Sequence, residues 1–195
     1  MTRQQEQIVI GCILGDAYLQ KTGKRNARLR LEHSVKQKEY IFWKQNELKN
    51  FMQDRPKLIK RYNPVFRKHY RYYRCQSHST PIFGKLQRLF YLDNKKQIPP
   101  NISSLFSKLA LAVWFMDDGY YYQKDKIAYI YLSQFPVNQI KCLAQALKST
   151  YGLNLKIEIK KKGNYNFRFS VVETAKLLEI IKPYVIKSMS YKVNT

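Results

Sequence analysis

The sequence predicts an α+β chain made of two pseudo-symmetric halves, each ordered αββαββα. Two observations carry that expectation. The first is an internal repeat: IVIGCILGDAYL at 8–19 and ALAVWFMDDGYY at 110–121 are apolar runs that end in an acidic residue beside a small one. Aligning Asp16 with Asp118 sets an offset of 102, and LRLEHS at 29–34 falls on IYLSQF at 130–135 at an offset of 101. Such a period is too long for a solenoid and implies two halves related by a pseudo-dyad. The second observation is that helical and alternating segments recur in the same order.

Taken in order, an apolar helix over about 5–15 leads into strands at YLQKT and ARLRLEH, a helix at KQKEYIFWKQNELKNFM, strands at PKLIKRYN and HYRYYRCQS, and a helix at IFGKLQRLFYL. The second half repeats this with a motif helix over about 104–117, strands YYYQK and KIAYIYLS, a helix in PVNQIKCLAQALKSTYG, strands NLKIEIKKK and YNFRFSVV, and a helix in ETAKLLEIIKPY. Gly152 stands where a helix C-cap wants a glycine, and Gly163 where a hairpin turn does. The stretch DNKKQIPPNISS at 93–104 is the linker candidate: Pro99 and Pro100 break any helix, and Ser103 or Ser104 can cap the next. The expected halves are therefore residues 1–98 and 99–195. Period-two alternation sets Arg28, Arg30 and Glu32 opposite Leu29 and Leu31, and Lys156, Glu158 and Lys160 opposite Leu155, Ile157 and Ile159. In YNFRFSV, Asn166, Arg168 and Ser170 likewise oppose Phe167, Phe169 and Val171.

Charge names the partner class. Thirty-six Lys and Arg against thirteen Asp and Glu give a net charge of +23 in a chain that is 45% hydrophobic, so it folds and suits a polyanion, nucleic acid above all. The apolar runs IVIGCIL and LALAVWFM fall short of the ~20 residues that span a bilayer, and MTRQQEQ starts no signal peptide, so an intracellular protein without a membrane partner is expected. Cys12, Cys75 and Cys142 form no C-x-x-C pair and read as reduced core thiols. His33, His69 and His78 lack metal-binding spacing and are expected at solvated strand or loop positions.

Against that background the acids matter. Asp16 and Asp118 each follow an apolar helical run, so each carboxylate emerges at a helix C-terminus, where the dipole is already negative. A divalent cation would offset the penalty, all-oxygen ligation suits Mg²⁺, and Gly11 and Gly15 would let the two helices approach closely. Beside basic sheet faces, such a site has the chemistry of phosphodiester hydrolysis.

These segments resemble the LAGLIDADG homing endonucleases, in particular the single-chain, intron-encoded type with two motifs. IGCILGDAY is similar to their first motif and LAVWFMDDG to their second, and the likeness continues through NKKQIPPN and KPYVIKSMSYK. It implies two antiparallel sheets forming a DNA-binding saddle, with Asp16 and Asp118 as catalytic, metal-binding carboxylates. It also implies a basic residue near each centre: Lys96, with Lys95 as the alternative, and Lys192. The resemblance further implies a monomer that makes site-specific double-strand breaks in a long DNA target and promotes intron mobility from an organelle, chloroplast or mitochondrion. Arg28, Arg30, Arg71, Arg74, Lys156, Lys160 and Arg168 are the candidate DNA-binding side chains. Ala17, Leu14 and Cys12 depart from the usual motif, and Asp117 has no assigned role. Open alternatives are an RNA maturase acting on the host intron, a restriction-type core around Glu158 and Lys160, and a non-catalytic nucleic-acid binder.

Overall fold

The computed structural model describes residues 1–132, 135–160 and 164–193. The element order matches the expected pattern in both halves: α1 (Arg3–Leu14), β1 (Tyr18–Lys21), β2 (Ala27–Ser34), α2 (Lys38–Glu47), β3 (Lys57–Asn63), β4 (Lys68–Gln76) and α3 (Pro81–Phe90). A short hairpin of β5 (Tyr91–Leu92) and β6 (Lys95–Lys96) and a single turn, α4 (Ile102–Leu105), precede the second set. That set is α5 (Lys108–Asp118), β7 (Gly119–Tyr122), β8 (Ile127–Tyr131), α6 (Val137–Tyr151), β9 (Lys156–Ile159), β10 (Tyr165–Phe169) and α7 (Val171–Ile181). Each set yields a four-stranded antiparallel sheet, in the orders β1-β2-β4-β3 and β7-β8-β10-β9.

Two compact units result, one of residues 16–88 with Met1 and one of residues 2–15 with 89–195. In the first, β2 alternates strictly, burying Ala27, Leu29, Leu31 and His33 while Arg28, Arg30, Glu32 and Ser34 stay half-exposed. Helix α2 lies against β2 and β4 and buries Tyr40 and Ile41. The β3–β4 ribbon leaves most of its residues exposed on both faces.

In the second unit α1 packs along α5. Seven successive residues of α1, Ile8 to Leu14, are buried, as a helix enclosed on all sides requires. Thr2 and Gln5 close its N-terminus as a capping box. Helix α5 starts later than the sequence suggests, because Phe106 is extended and Ser107, rather than Ser103 or Ser104, accepts the Ala110 N–H. Helix α7 packs on α5 and on β8 and β10. Gly152 closes α6 with φ 65°, in the left-handed region that only glycine enters without strain. The expected turn at Gly163 lies outside the described residues.

Two expectations need correction. His33 is not solvated: it is 3% exposed, because its place in the alternation of β2 points inward. Cys142 is half-buried on α6, unlike the buried Cys12 and Cys75. His69 and His78 are exposed as expected.

Glu173, in the first turn of α7, ties that helix to the start of β9. Its Oε2 accepts the Asn154 N–H at 2.9 Å and its Oε1 accepts from Lys176 at 3.0 Å. Burial raises its carboxyl pKa, but the Asn154 hydrogen bonds and the Lys176 ammonium outweigh burial and hold it below the usual carboxylate value. A depressed folded-state pKa adds stability above the unfolded value, and that contribution disappears as pH falls through the folded value. Glu173→Gln should therefore unfold at lower urea than the wild type at neutral pH, with the gap narrowing in acid, as equilibrium melts at the two pH values would read.

Candidate active site and nucleic-acid interface

The site begins with the contact between α1 and α5. A Cβ on Gly11 would sit 2.6 Å from the Ala110 carbonyl oxygen and 2.7 Å from Val113 Cβ, and one on Gly15 would sit 2.5 Å from Asp117 Cβ and 2.6 Å from its Oδ2. The helices touch through backbone at these two positions, and only glycine leaves room. Asp117, buried to 8% exposure, fills the space against Gly15 and so has a packing place at the end of the seam. The candidate aspartates are the next residues along each chain segment: Asp118 closes α5 and is half-buried, and Asp16 follows the Gly15 cap with an exposed carboxylate.

Each helix end receives a lysine. Lys96 Nζ donates to the Gly15 carbonyl at 2.7 Å, and Lys192 Nζ donates to the Asp117 carbonyl at 2.8 Å. The two lysines thus reach corresponding carbonyls, each the one just before a motif aspartate. A cation there satisfies an orphan helix carbonyl and offsets the negative end of the dipole. Local structure explains the reach. Asp93 and Asn94 take left-handed φ of 47° and 60°, conformations that among residues other than glycine suit Asn and Asp best, and turn β5 back into β6. Neighbouring residues of a strand face opposite ways, so Lys95 is exposed and Lys96 half-buried. Lys192 ends a 3-10 segment, Lys187–Lys192, anchored by fully buried Met189.

In the first unit, Asp16 borders a depression of about 270 Å³ lined also by Tyr18, Arg30, Glu32, Arg61 and Arg74. The register puts Arg28, Arg30 and Arg74 on one face with Lys57 and Arg61. Glu32 gathers two of these arginines, accepting from Arg74 Nε at 2.8 Å and from Arg61 at 3.3 Å. The Nε atoms of Arg28 and Arg30 are buried without a hydrogen-bond partner among the described residues. Arg71 pairs with Lys60 and shares the opposite face with Tyr73 and Cys75, because three positions separate it from Arg74.

In the second sheet, Lys156, Glu158 and Arg168 share a face with Tyr120, Tyr122, Tyr129 and Tyr131. Lys160, just past β9, has its Nζ 5.3 Å from the Tyr129 ring centroid. Glu158 lies 3.7 Å from Arg168 Nε, so the acid of the restriction-type pattern faces an arginine on its own sheet. This is a basic surface interleaved with aromatic rings, a combination suited to phosphates and base edges. Among the described residues no helix is long and apolar enough to cross a membrane.

Sequence reasoning overlooked two residues beside Asp16. His33 Nδ1 lies 3.8 Å from Asp16 Oδ2, and on the ring's other side Lys44 Nζ, wholly buried, lies 2.9 Å from Nε2. The inward parity of His33 was visible in ARLRLEHS; Lys44 gave no such signal.

Residues 6–177 match the model of the LAGLIDADG DNA endonuclease family. The chain belongs to that family. A RecA protein of Mycolicibacterium chitae is 28% identical over 208 residues, covering 99% of this chain and 47% of the relative, so the chain spans about half the length of such relatives. Probable intron-encoded endonuclease 1 of Wickerhamomyces canadensis is 29% identical, over 99% of this chain and 85% of its own. Cytochrome b mRNA maturase bI2 of Debaryomyces hansenii is also 29% identical, over 99% and 74%. Among solved structures, the homing endonuclease I-WcaI bound to its DNA recognition sequence superposes with a TM-score of 0.91 at 26% identity, covering 99% of this chain and 87% of that one. A variant of I-DmoI with nicked target DNA and manganese shares the fold, with a TM-score of 0.57 at 15% identity and coverage of 94% and 98%.

Gly15→Ala should lose about 1–3 kcal/mol of stability through overpacking at Asp117, measured by urea denaturation.

Proposed function

We propose that this chain is a site-specific homing endonuclease that hydrolyses both strands of a long DNA duplex with the help of a divalent cation, Mg²⁺ by the chemistry of its donors. One observation carries the reading: two lysines dock on equivalent helix-end carbonyls, each adjoining a candidate aspartate, in a chain with basic, tyrosine-lined sheets whose fold is similar to that of a homing endonuclease solved on DNA.

The residues fit a hard cation. Asp16 and Asp118 offer carboxylate oxygens at helix C-termini, where an uncompensated anion is disfavoured. Asp16 and Asp118 are each able to hold a divalent cation, which supplies Lewis acidity toward water and phosphate when bound. Lys96 and Lys192 carry fixed positive charge near each carboxylate; they orient water and stabilise negative charge on the phosphate. Arg28, Arg30, Arg74, Lys156, Lys160 and Arg168 supply phosphate and base contacts from the sheet faces, and Arg71 contributes from the other face of the ribbon. The two repeats, 1–98 and 99–195, act as a monomer, one for each DNA strand. Promotion of intron mobility within an organelle follows from the same reading, in keeping with the intron-encoded relative.

A second reading, an RNA maturase that helps its host intron splice, draws on the similarity to the Debaryomyces maturase. Incubation with DNA spanning an intronless insertion junction, with and without Mg²⁺, separates the two. Cutting that requires the cation supports the endonuclease, whereas an uncut junction alongside stimulated splicing supports the maturase.

Asp118→Asn should slow cutting of at least one strand by about 100-fold or more while leaving duplex binding intact; normal cutting of both strands would remove Asp118 from the centre. Binding to the cognate duplex should weaken steeply with salt, because phosphate contacts dominate the affinity of so basic a chain. A titration from low to physiological salt that left affinity unchanged would contradict the proposed interface.

A further inference from the structure

His33 and Lys44 form a buried polar pair that the reading above does not use. His33 is 3% exposed and Lys44 0% exposed. A lysine without solvent access is costly unless its ammonium is matched, and Lys44 is matched twice: it lies 2.9 Å from His33 Nε2 and 4.2 Å from the centroid of the Tyr40 ring, which itself stacks on Trp43. An ammonium has donors and no acceptor, so His33 Nε2 must present its lone pair to Lys44, and the ring proton sits on Nδ1. That Nδ1 lies 3.2 Å from Gln37 Oε1 and 3.8 Å from Asp16 Oδ2, the latter a small rotation beyond hydrogen-bond length. With the proton on the other nitrogen, the ring would turn a lone pair toward both oxygens.

We infer that Lys44 fixes the tautomer of His33 so that the ring presents Nδ1–H to the Asp16 carboxylate, making His33 and Lys44 positioning residues for the centre that Asp16 serves. The inference rests on the endonuclease reading for its effect on cutting, and on geometry alone for the tautomer. Carboxylates that hold a cation are themselves hydrogen-bonded, and loss of such a support commonly costs about 10- to 100-fold in activity or metal affinity. The device belongs to one half. At the repeat offset of 101, His33 corresponds to Gln134, outside the described residues, and Lys44 to Gln145, so no second histidine–lysine pair exists at those positions. Its loss should therefore fall on one strand.

The test combines a spectrum with strand-resolved kinetics on the whole chain. In ¹⁵N-histidine-labelled protein, two-bond ¹⁵N–¹H correlations should show His33 as the Nδ1–H form in the wild type and shifted toward Nε2–H in Lys44→Met, with His33→Asn assigning the signal. In single-turnover cutting, Lys44→Met and His33→Phe should slow one strand by about 10- to 100-fold at unchanged DNA affinity. His33→Asn, whose amide N–H can take the place of Nδ1–H, should recover most of the rate. If either apolar variant fails to fold, the double variant His33→Phe with Lys44→Met leaves no unmatched polar group and carries the same expectation. An Nε2–H signal for His33 in active wild-type enzyme, equal slowing of both strands, or unchanged rates would each overturn the inference. A wild type that cut no DNA would instead end the endonuclease reading, and the effect on cutting with it.

Discussion

Backbone contact between α1 and α5 is the constraint on which the rest depends. A methyl group at Gly11 or Gly15 would overlap α5, so these helices can approach to this distance only with glycine at both places. Close approach brings the C-terminal ends of two helices together within one unit, which concentrates unsatisfied carbonyls and negative dipole in a small volume. Lys96 and Lys192 answer that demand directly. The same electrostatics that makes this a poor place for a carboxylate makes it a good place for a cation, so the structural problem and the proposed chemistry share one cause.

Much of this was legible in the sequence because the signals were periodic. Order and type of the elements follow from hydrophobic spacing, and the two-residue period of β2 separated its buried from its half-exposed face, whereas Asn166 of β10, expected on the polar face, is wholly buried and Ile159 of β9, expected on the apolar one, is exposed. Both lysines were expected from the resemblance to the family, but which carbonyl each one reaches depends on the β5–β6 turn and the final 3-10 segment. The same period was misjudged at His33. It continues the buried series of Ala27, Leu29 and Leu31, yet its residue type argued for solvent. Lys44 was out of reach for a different reason. A lysine on a short helix ordinarily faces water, and what keeps this one inside is an aromatic ring and an imidazole from another element.

The start of α5 shows how local rules compete. Pro99, Pro100 and the serines at 103 and 104 satisfy the usual signature of a helix start, and a helical turn does form there. Phe106 then leaves the helix to bury its ring against Trp114, 6.0 Å between centroids, and the capping role passes to Ser107. Tertiary packing of one aromatic pair moved the boundary by a turn.

The β3–β4 ribbon has a consequence of its own. Strand β4 has nine residues and spans roughly 30 Å, yet its first four, Lys68 to Arg71, are exposed, as is most of β3. By contrast β10, the corresponding strand of the other sheet, has five residues, three of them buried. The ribbon's distal part, Lys60 to Arg71, lies beyond the residues of β4 that pair with β2 and can gain or lose pairs of residues without disturbing the core beneath β2. In lineage terms, it is the part of this chain where reach could be lengthened or shortened in small steps while the glycine seam stays as it is.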